Sequence, residues 1–249
     1  EPGMGLGMRR LSILDPARGK QPFFGRQSVL VYNGEIYNHV QLRGELESRG
    51  IEFRSHCDGE VLPWLYEEHG VDFLKLLEGV FALALWDRME RRLILARDAF
   101  GVRPLPYAHR AEALWFASTP VPLLSGMGHR PDVNSNALFD LMRFRFAPGV
   151  ETVFDGVFRL RPGHALTASD SGVEVRRLDS RQPKPWNFHS RKEAVDRLDE
   201  ALHSAIKRQI ASDVPWAIAL SGGIDSSLLL AVAAQQSSNL CAVTLGLGP

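Results

Sequence analysis

Short apolar runs, separated by Gly, Pro, Asn and Asp, dominate the chain from residue 11 to about residue 166. The runs read SVLVYNG, VFALALWD, RLILARD, ALWFAS, GVFRLRPG and HALTAS. Runs of this length between turn-forming residues are typical of β-strands that follow one another closely in an antiparallel sheet. The pattern therefore predicts a sheet-rich, antiparallel domain.

Two segments with helical spacing interrupt these strands. The first follows Asn38, an N-cap residue with Gln41 three positions on, and is expected to end at Gly50. The second follows Asp58 and is expected to end near Gly70. The first helix carries Leu42 and Leu46 on one face, and the second contains Val61, Leu62 and Leu65.

The pattern changes after residue 168. Residues 169–189 are polar and contain prolines, which predicts a linker between a domain at 1–168 and a second domain at 190–249. Ser190 and Glu193 have the spacing of a capping box, and apolar residues recur at helical intervals after them. An amphipathic helix is therefore expected to open the second domain.

The last part of the chain has the order of an α/β unit. We predict a buried strand at 216–220, a tight loop at 221–225, a helix at 226–236 and a strand at 240–245. Strand, loop, helix and strand in this order indicate the beginning of a parallel α/β sheet.

Composition narrows the class of protein. The chain has 249 residues, of which 45% are hydrophobic, and 29 Lys plus Arg balance 29 Asp plus Glu. This balance argues against nucleic-acid or anionic-membrane partners. No apolar run reaches the roughly 20 residues that cross a bilayer, no basic segment followed by an apolar core opens the chain, and Cys57 and Cys241 are its two cysteines. We expect a cytoplasmic protein.

The loop SGGIDSS, between a predicted strand and a predicted helix, has the composition of an anion site. Gly222 and Gly223 permit the backbone to present N–H groups at a helix N-terminus, and Ser221 and Ser226 add hydroxyls. Asp225 would repel a phosphate unless Mg²⁺ lies between them. The alternative is a glycine-containing turn whose Asp and Ser cap the next helix. The full string favours phosphate binding, but it lacks the lysine of the G-x-x-x-x-G-K-[ST] loop.

Asn33 and Gly34 also allow two interpretations. Asn-Gly is typical of a β-hairpin turn. An Asn amide beside a glycine N–H is equally a donor pair for an oxyanion, with Glu35 available for an ammonium group.

The motifs MRRLSILD, YNGEIYN and CDGEV follow one another in this order, and EGVFALALWD, RDAFGVRPL, ETVFDGVFRLRPGH and SGGIDSS continue the series. Together they resemble glutamine-hydrolysing asparagine synthetases over nearly the whole chain. The resemblance implies an α+β glutaminase sandwich of two antiparallel sheets with flanking helices, followed by the start of an α/β parallel-sheet synthetase domain. SGGIDSS is similar to the pyrophosphate loop of enzymes that cleave ATP between its α and β phosphates.

The resemblance also implies residue roles. For glutamine, Arg10 would hold the α-carboxylate, the backbone of Ile13 and Leu14 would line the substrate, Asn33 and the Gly34 N–H would form the oxyanion hole, and Glu35 and Asp58 would position the ammonium group. For ATP, the Leu220 backbone would contact adenine, Ser221, Gly222, Gly223, Asp225 and Ser226 would hold the pyrophosphate, and Asp225 would bind Mg²⁺.

The chain departs from the family at the nucleophile. The family uses an N-terminal cysteine whose own amine acts as the base, and no such cysteine is present, so we expect a piece of a longer protein that is inactive by itself. Cys57 has no free amine and is expected to be a packed thiol. Gly59, where the family usually has threonine, and Ala99, where it has arginine, indicate a divergent member.

Three functions remain open. The first is ATP-dependent amidation of aspartate through β-aspartyl-AMP with ammonia from glutamine, a ligase of asparagine biosynthesis that uses ATP and Mg²⁺. The second is a related acid-adenylating ligase, such as a β-lactam synthetase or another divergent amidotransferase. The third is a non-catalytic glutamine or nucleotide sensor. The sequence is compatible with a homodimer, and the acid that is amidated distinguishes the first function from the second.

Overall fold

The computed structural model describes residues 3–111, 113–178, 187–237 and 240–246. The chain divides into two compact units, which are described separately. Unit 1 comprises Glu1–Leu11 and Arg18–Ser180, and unit 2 comprises Ser12–Ala17 and Arg181–Pro249. Among the described residues, no helix is both long enough and apolar enough to cross a membrane.

Unit 1 contains strands and helices in the following order: β1 Phe23–Phe24, β2 Ser28–Ile36, α1 His39–Glu47, α2 Val61–His69, β3 Gly79–Asp87, β4 Arg92–Arg97, β5 Pro106–Arg110, β6 Ala113–Phe116, α3 Pro120–Met127, α4 Ser135–Phe144, β7 Val157–Arg159, β8 His164–Ser169 and β9 Gly172–Arg177. Among the described residues, the larger sheet has the order β1-β2-β3-β4-β8-β9 and the smaller sheet the order β6-β5-β7. Every strand pair in both sheets is antiparallel. The antiparallel, sheet-rich domain is therefore confirmed.

The two faces of the larger sheet contact different layers. Successive side chains of a strand point to opposite faces, so Leu30 and Ile36 of β2 pack with Leu46 of α1 and Leu62 of α2. Val31, one residue from Leu30, lies in a separate core cluster that also contains residues of the smaller sheet. Helix α3 packs on the other side of that sheet. The layers are therefore helices, larger sheet, smaller sheet and helix.

The two helical insertions form where the sequence predicts them, although their caps differ. The Asn38 side chain makes no capping hydrogen bond to α1. It donates instead to the Leu76 carbonyl (2.9 Å) and accepts from the Glu78 N–H (3.0 Å). The predicted capping role of Asn38 is therefore wrong, because a tertiary contact takes both ends of its amide. Helix α2 is preceded by a 3₁₀ turn at Asp58–Glu60 and stops at Gly70, which has a φ of 56°.

The predicted linker needs a partial correction. Residues 172–177 form β9 and pair with β8, so this part of 169–189 belongs to the larger sheet. Most residues of strand β9 are exposed, so the strand has no buried apolar face. The sequence pattern, which depends on such a face, therefore did not predict it. Residues 179–186 lie outside the described residues.

Unit 2 contains helix α5 Arg191–Gln209, strand β10 Ala217–Ala219, helix α6 Ile224–Gln236 and strand β11 Cys241–Val243. The serine half of the predicted capping box is confirmed, because the Ser190 hydroxyl accepts from the Glu193 N–H at 3.1 Å. The Glu193 carboxylate accepts from the His189 N–H at 2.9 Å, one residue before the predicted partner. Strands β10 and β11 pair in parallel, in the predicted strand–loop–helix–strand order. The prediction of a buried strand is wrong for β10 among the described residues, since Ala217 and Ala219 are exposed. Helix α6 also begins two residues earlier than predicted.

Candidate functional site

The Asn33-Gly34 pair lies inside β2. Asn33 pairs with Ala82 and Gly34 with Phe81 of β3, so the hairpin-turn interpretation is wrong. A Cβ atom on Gly34 would lie 1.9 Å from the Val80 carbonyl oxygen and 2.7 Å from the Phe81 Cα. Only glycine permits this approach of the two backbones. The local geometry therefore explains why a glycine follows Asn33.

Asp58 is the centre of a buried polar cluster beside the end of β2. Its side chain accepts a hydrogen bond from the Tyr32 hydroxyl at 2.5 Å and from the Ile36 N–H at 2.8 Å. The Cys57 thiol donates to the same carboxylate at 3.4 Å. Asp58 is 2% exposed, so these donors replace the water that an isolated carboxylate would need.

Arg10 joins this cluster through Cys57. Its guanidinium Nη2 lies 3.6 Å from the Cys57 Sγ. Arg43 fixes the same segment, because its Nη2 donates to the Cys57 carbonyl at 3.0 Å while its guanidinium covers the Phe53 ring at 4.1 Å. The structure thus places Arg10, the expected carboxylate-binding residue, next to the Cys57-Asp58 pair.

Glu35 lies on β2 within the field of this cluster. Partial burial, with a smaller contribution from the Asp58 carboxylate, raises the pKa of Glu35, and Arg103 opposes the shift. A carboxylate in that environment gains by pairing with a cation. The geometry therefore agrees with the expected ammonium-binding role of Glu35, which stays a prediction.

Cys57 is a packed thiol. Its exposure is 1%, and burial, followed by the charge of Asp58, raises its pKa from 9.0 to about 12. The thiolate is the nucleophilic form, so this cysteine is poorly suited to replace the missing nucleophile. The structure therefore agrees with the expectation from the sequence that Cys57 is a packed thiol.

We predict a large difference between the two thiols at pH 8. Exposed Cys241 should react at once with iodoacetamide, whereas Cys57 should react only after unfolding, because a pKa of about 12 instead of 9.0 lowers its thiolate fraction roughly a thousandfold. Mass spectrometry of the alkylated protein measures both rates, and Cys241→Ser provides the control. Fast alkylation of Cys57 in the folded protein would contradict the buried placement.

Ile13 and Leu14 are not part of this cluster. Both residues fall in unit 2, where the Ile13 carbonyl accepts from the Asp213 N–H at 3.3 Å. Asp15, which follows them, donates its N–H to the Asp213 carboxylate at 2.8 Å. Their expected backbone contacts to glutamine remain a prediction.

The loop between β10 and α6 has the strand-to-helix geometry that an anion site requires. Gly222 has a φ of 79°, and Gly223 is the N-cap of α6. The Ser226 hydroxyl lies 3.0 Å from the Ser221 hydroxyl and donates to the Gly223 carbonyl at 3.2 Å. These contacts hold the loop in a closed turn at the helix N-terminus.

Some backbone N–H groups of the loop 221–226 make only weak hydrogen bonds within the protein. The Ser221 and Gly223 N–H groups donate to serine hydroxyls at 3.3 and 3.4 Å, which are long hydrogen bonds. As at any helix N-terminus, the first N–H groups of α6 point away from the helix without an intrahelical acceptor. Asp225 is exposed in the first turn, and Leu220 is tied to β11 through its N–H. The arrangement can accept an oxyanion.

Sequence reasoning missed Tyr32 and Arg43 as members of the cluster. Tyr32 could have been found, since a tyrosine on the helix-facing side of a buried strand needs a partner for its hydroxyl. Arg43 gave no signal, because an arginine on a helix normally points to solvent. Its hydrogen bond to the Cys57 carbonyl depends on the conformation of the loop before Asp58, which the sequence pattern does not predict.

Unit 1 is thus a layered α+β domain with a buried polar cluster at the end of a central strand. Comparison with known proteins identifies this class. Residues 1–178 match the family model described as glutamine amidotransferase domain, and residues 197–249 match the model described as asparagine synthase. The chain belongs to the glutamine amidotransferase domain family.

Curated relatives agree with the resemblance inferred from the motifs. The chain is similar to asparagine synthetase (glutamine-hydrolyzing) 3 of Bacillus subtilis, at 35% identity over 92% of this chain and 38% of that protein. It is also similar to asparagine synthetase (glutamine-hydrolyzing) 1 of the same organism, at 32% identity over 98% of this chain and 39% of that protein. The chain therefore spans less than half the length of these relatives.

A solved structure of glutamine phosphoribosylpyrophosphate amidotransferase from B. subtilis, complexed with ADP and GMP, gives a TM-score of 0.44 at 20% identity. The match covers 90% of this chain and 48% of that one.

Proposed function

We propose that the protein carrying this chain is a glutamine-hydrolysing asparagine synthetase. In this proposal, glutamine releases ammonia in unit 1, ATP and aspartate form β-aspartyl-AMP and pyrophosphate, and ammonia then displaces AMP. The observation that carries the proposal is the presence of matches to a glutamine amidotransferase domain and to asparagine synthase in succession on one chain.

In the glutaminase half, the residues of unit 1 bind and orient the substrate. Arg10 would pair with the α-carboxylate of glutamine, and Glu35 with its ammonium group. The Asn33 amide and the Gly34 N–H would donate to the oxyanion that forms at the side-chain carbonyl. The position of Asn33 and Gly34 inside β2, beside the cluster that contains Arg10 and Asp58, supports this assignment.

In the synthetase half, the loop 221–226 would hold the pyrophosphate of ATP with the free N–H groups of α6 and the serine hydroxyls. Mg²⁺ would neutralise the repulsion between Asp225 and the phosphates. The donor set fits this role in one respect, since Mg²⁺ is usually held by one or two carboxylates together with phosphate oxygens. The polar, exposed position of Asp225 in the first turn is compatible with such an ion.

Two alternatives predict different products. A related acid-adenylating ligase would form AMP and pyrophosphate with another carboxylate, and would give no asparagine. A nucleotide or glutamine sensor would be stabilised by its ligand without releasing pyrophosphate. From the two free cysteines, Cys57 and Cys241, we also propose a reducing, cytoplasmic location. A homodimer is the oligomer for which the full-length protein should be tested.

The full-length protein tests the proposal. With glutamine, aspartate, ATP and Mg²⁺, we expect equal amounts of asparagine, glutamate, AMP and pyrophosphate. Asn33→Ala should lower the glutamine-dependent rate by about a hundredfold, because it removes an oxyanion donor, while synthesis from added ammonia should persist. Asp225→Asn should lower both rates. Absence of AMP formation from ATP and aspartate would overturn the proposal.

A further inference from the structure

A cleft in unit 1 has no role in the reaction proposed above. It has a volume of about 740 Å³ and lies between the segment 18–26, the loop 50–55 and the start of α2. None of the residues expected to contact glutamine lines it, although all of those residues are described. Cavities of about 300–1,000 Å³ accommodate small-molecule ligands.

The walls of this cleft are held by polar side chains that leave them little freedom. The amide of Gln21 donates to the Tyr32 carbonyl (2.9 Å) and accepts from the Tyr32 N–H (2.8 Å). These two hydrogen bonds fix the wall formed by residues 18–26 to β2. The carboxylate of Glu60 accepts from the N–H groups of Arg54 and Ser55, each at 2.8 Å, and from the Ser55 hydroxyl at 2.6 Å. The cleft is therefore preorganised, so a ligand would not need to order it on binding.

A second carboxylate, that of Glu67, fixes the turn that follows residues 18–25. Glu67 accepts from the N–H groups of Arg26, Gln27 and Ser28, at 3.1, 2.9 and 3.1 Å. This contact holds the backbone of the turn and leaves the Arg26 side chain directed over the Trp64 ring, with its guanidinium 5.8 Å from the ring centre. A cation and an aromatic face are thereby presented side by side in the lining.

The charge of the lining is positive. Arg18, Lys20, Arg26 and Arg54 line the cleft and have exposed side chains, against two acidic residues, Glu52 and Glu60. Glu60 already accepts three donors of the wall, so its carboxylate is compensated by these hydrogen bonds. A cluster of guanidinium and ammonium groups that exceeds its acids favours an anion with several oxygens, such as a phosphate.

The same lining contains aromatic rings. Phe53 and Trp64 are half-buried, and Arg43 lies against Phe53 and fixes its orientation. Aromatic side chains stack on flat nucleobases, and cations near them strengthen the interaction. We propose that this cleft binds a nucleoside phosphate, with the base on the aromatic rings and the phosphate among Lys20, Arg26 and Arg54. The ligand is then a regulator of the domain or a second nucleotide, separate from the loop 221–226.

Photolabelling locates such a ligand directly. The full-length protein is irradiated with 8-azido-AMP and digested, and the labelled peptides are identified by mass spectrometry. We expect saturable labelling within residues 18–26 or 50–64, which excess AMP suppresses and adenosine suppresses much less. This readout does not depend on turnover, so failure of the proposed synthetase reaction would leave it unaffected.

Charge variants complete the experiment. The double variant Lys20→Gln with Arg54→Gln should weaken labelling of the cleft by about tenfold or more, because both cations would contact the phosphate. Arg177→Gln removes an exposed charge of β9 that lies outside the cleft and should have no effect. All substituted side chains are exposed, so unchanged thermal unfolding is expected for each variant.

Three results would overturn the inference. The first is labelling restricted to peptides outside the cleft. The second is equal labelling of the double variant and the unsubstituted protein. The third is suppression by inorganic phosphate at the same concentration as AMP, which would mean that the rings contribute nothing and that the ligand is not a nucleotide.

Discussion

Gly34→Ala is expected to destabilise the folded protein by about 4 kcal/mol or more. The added methyl group would lie 1.9 Å from the Val80 carbonyl oxygen, and this neighbour is backbone of β3 rather than a flexible side chain. Relief would require β2 and β3 to separate in the middle of the larger sheet. Urea unfolding, followed by far-UV circular dichroism, measures the change in the free energy of unfolding.

The same substitution at Gly44 provides the matched control. Gly44 is an exposed residue inside α1, and a Cβ there meets no atom within 4 Å. Gly44→Ala should therefore stabilise the protein by about 0.5–1 kcal/mol, because alanine loses less backbone entropy in a helix. If Gly34→Ala and Gly44→Ala gave similar free energies of unfolding, the close approach of β2 and β3 at Gly34 would be wrong.

Gly34 also shows what the sequence could and could not predict about the fold. The apolar runs predict β2 and β3, because each is a short, nearly continuous apolar segment that is buried on both faces of the sheet. They do not predict that Asn-Gly continues a strand. A two-residue turn and a strand both accept this dipeptide, and the choice depends on pairing with β3, more than 40 residues away in the chain. Register of this kind is set by tertiary contacts.

The errors at the periphery have a related origin. Strand β9 is exposed on most of its residues, so no apolar alternation marks it, and its pairing with β8 alone makes it a strand. Asn38 is a residue type that commonly caps helices, yet its side-chain amide hydrogen-bonds to the backbone of Leu76 and Glu78. These partners are about 40 positions away, so the local sequence does not reveal them. Local patterns predict elements well where local forces decide them, as in the N-cap of α5 by the Ser190 hydroxyl.

For the candidate site too, the sequence identified individual residues but did not predict the contacts between them. Arg10, Asn33, Gly34, Glu35 and Asp58 could be singled out because the motifs that contain them resemble those of glutamine-hydrolysing asparagine synthetases. Which of them touch could not be read from the sequence. The contact of Arg10 with Cys57 joins residues 47 positions apart, and the hydrogen bond of Tyr32 to Asp58 joins residues 26 positions apart. Such contacts follow from tertiary packing, for example of the turn at Asp58–Glu60 against β2, and not from motif spacing.

Asp58→Ala is expected to cost about 3 kcal/mol or more of folding free energy and to abolish measurable glutamine binding. The substitution removes the shared acceptor of the Tyr32 hydroxyl and the Ile36 N–H and leaves both donors buried. Each unsatisfied buried donor costs about 1–3 kcal/mol, so the effect should exceed that of a cavity of the same size. Urea unfolding gives the stability, and calorimetric titration with glutamine gives the affinity.

Two milder variants separate the structural role of Asp58 from its expected role in glutamine binding. Tyr32→Phe removes one donor and leaves the carboxylate, so it should cost about 1 kcal/mol and leave glutamine affinity within a few-fold. Asp58→Asn keeps an acceptor for the Ile36 N–H but lacks the charge that would attract the ammonium group, so it should fold and bind glutamine at least tenfold more weakly. Asp58→Asn protein with normal glutamine affinity would limit Asp58 to anchoring β2. Substrate binding would then depend on Arg10 and Glu35, and the raised pKa of Glu35 would predict weaker binding as the pH falls toward it, because protonation removes the charge that pairs with the ammonium group.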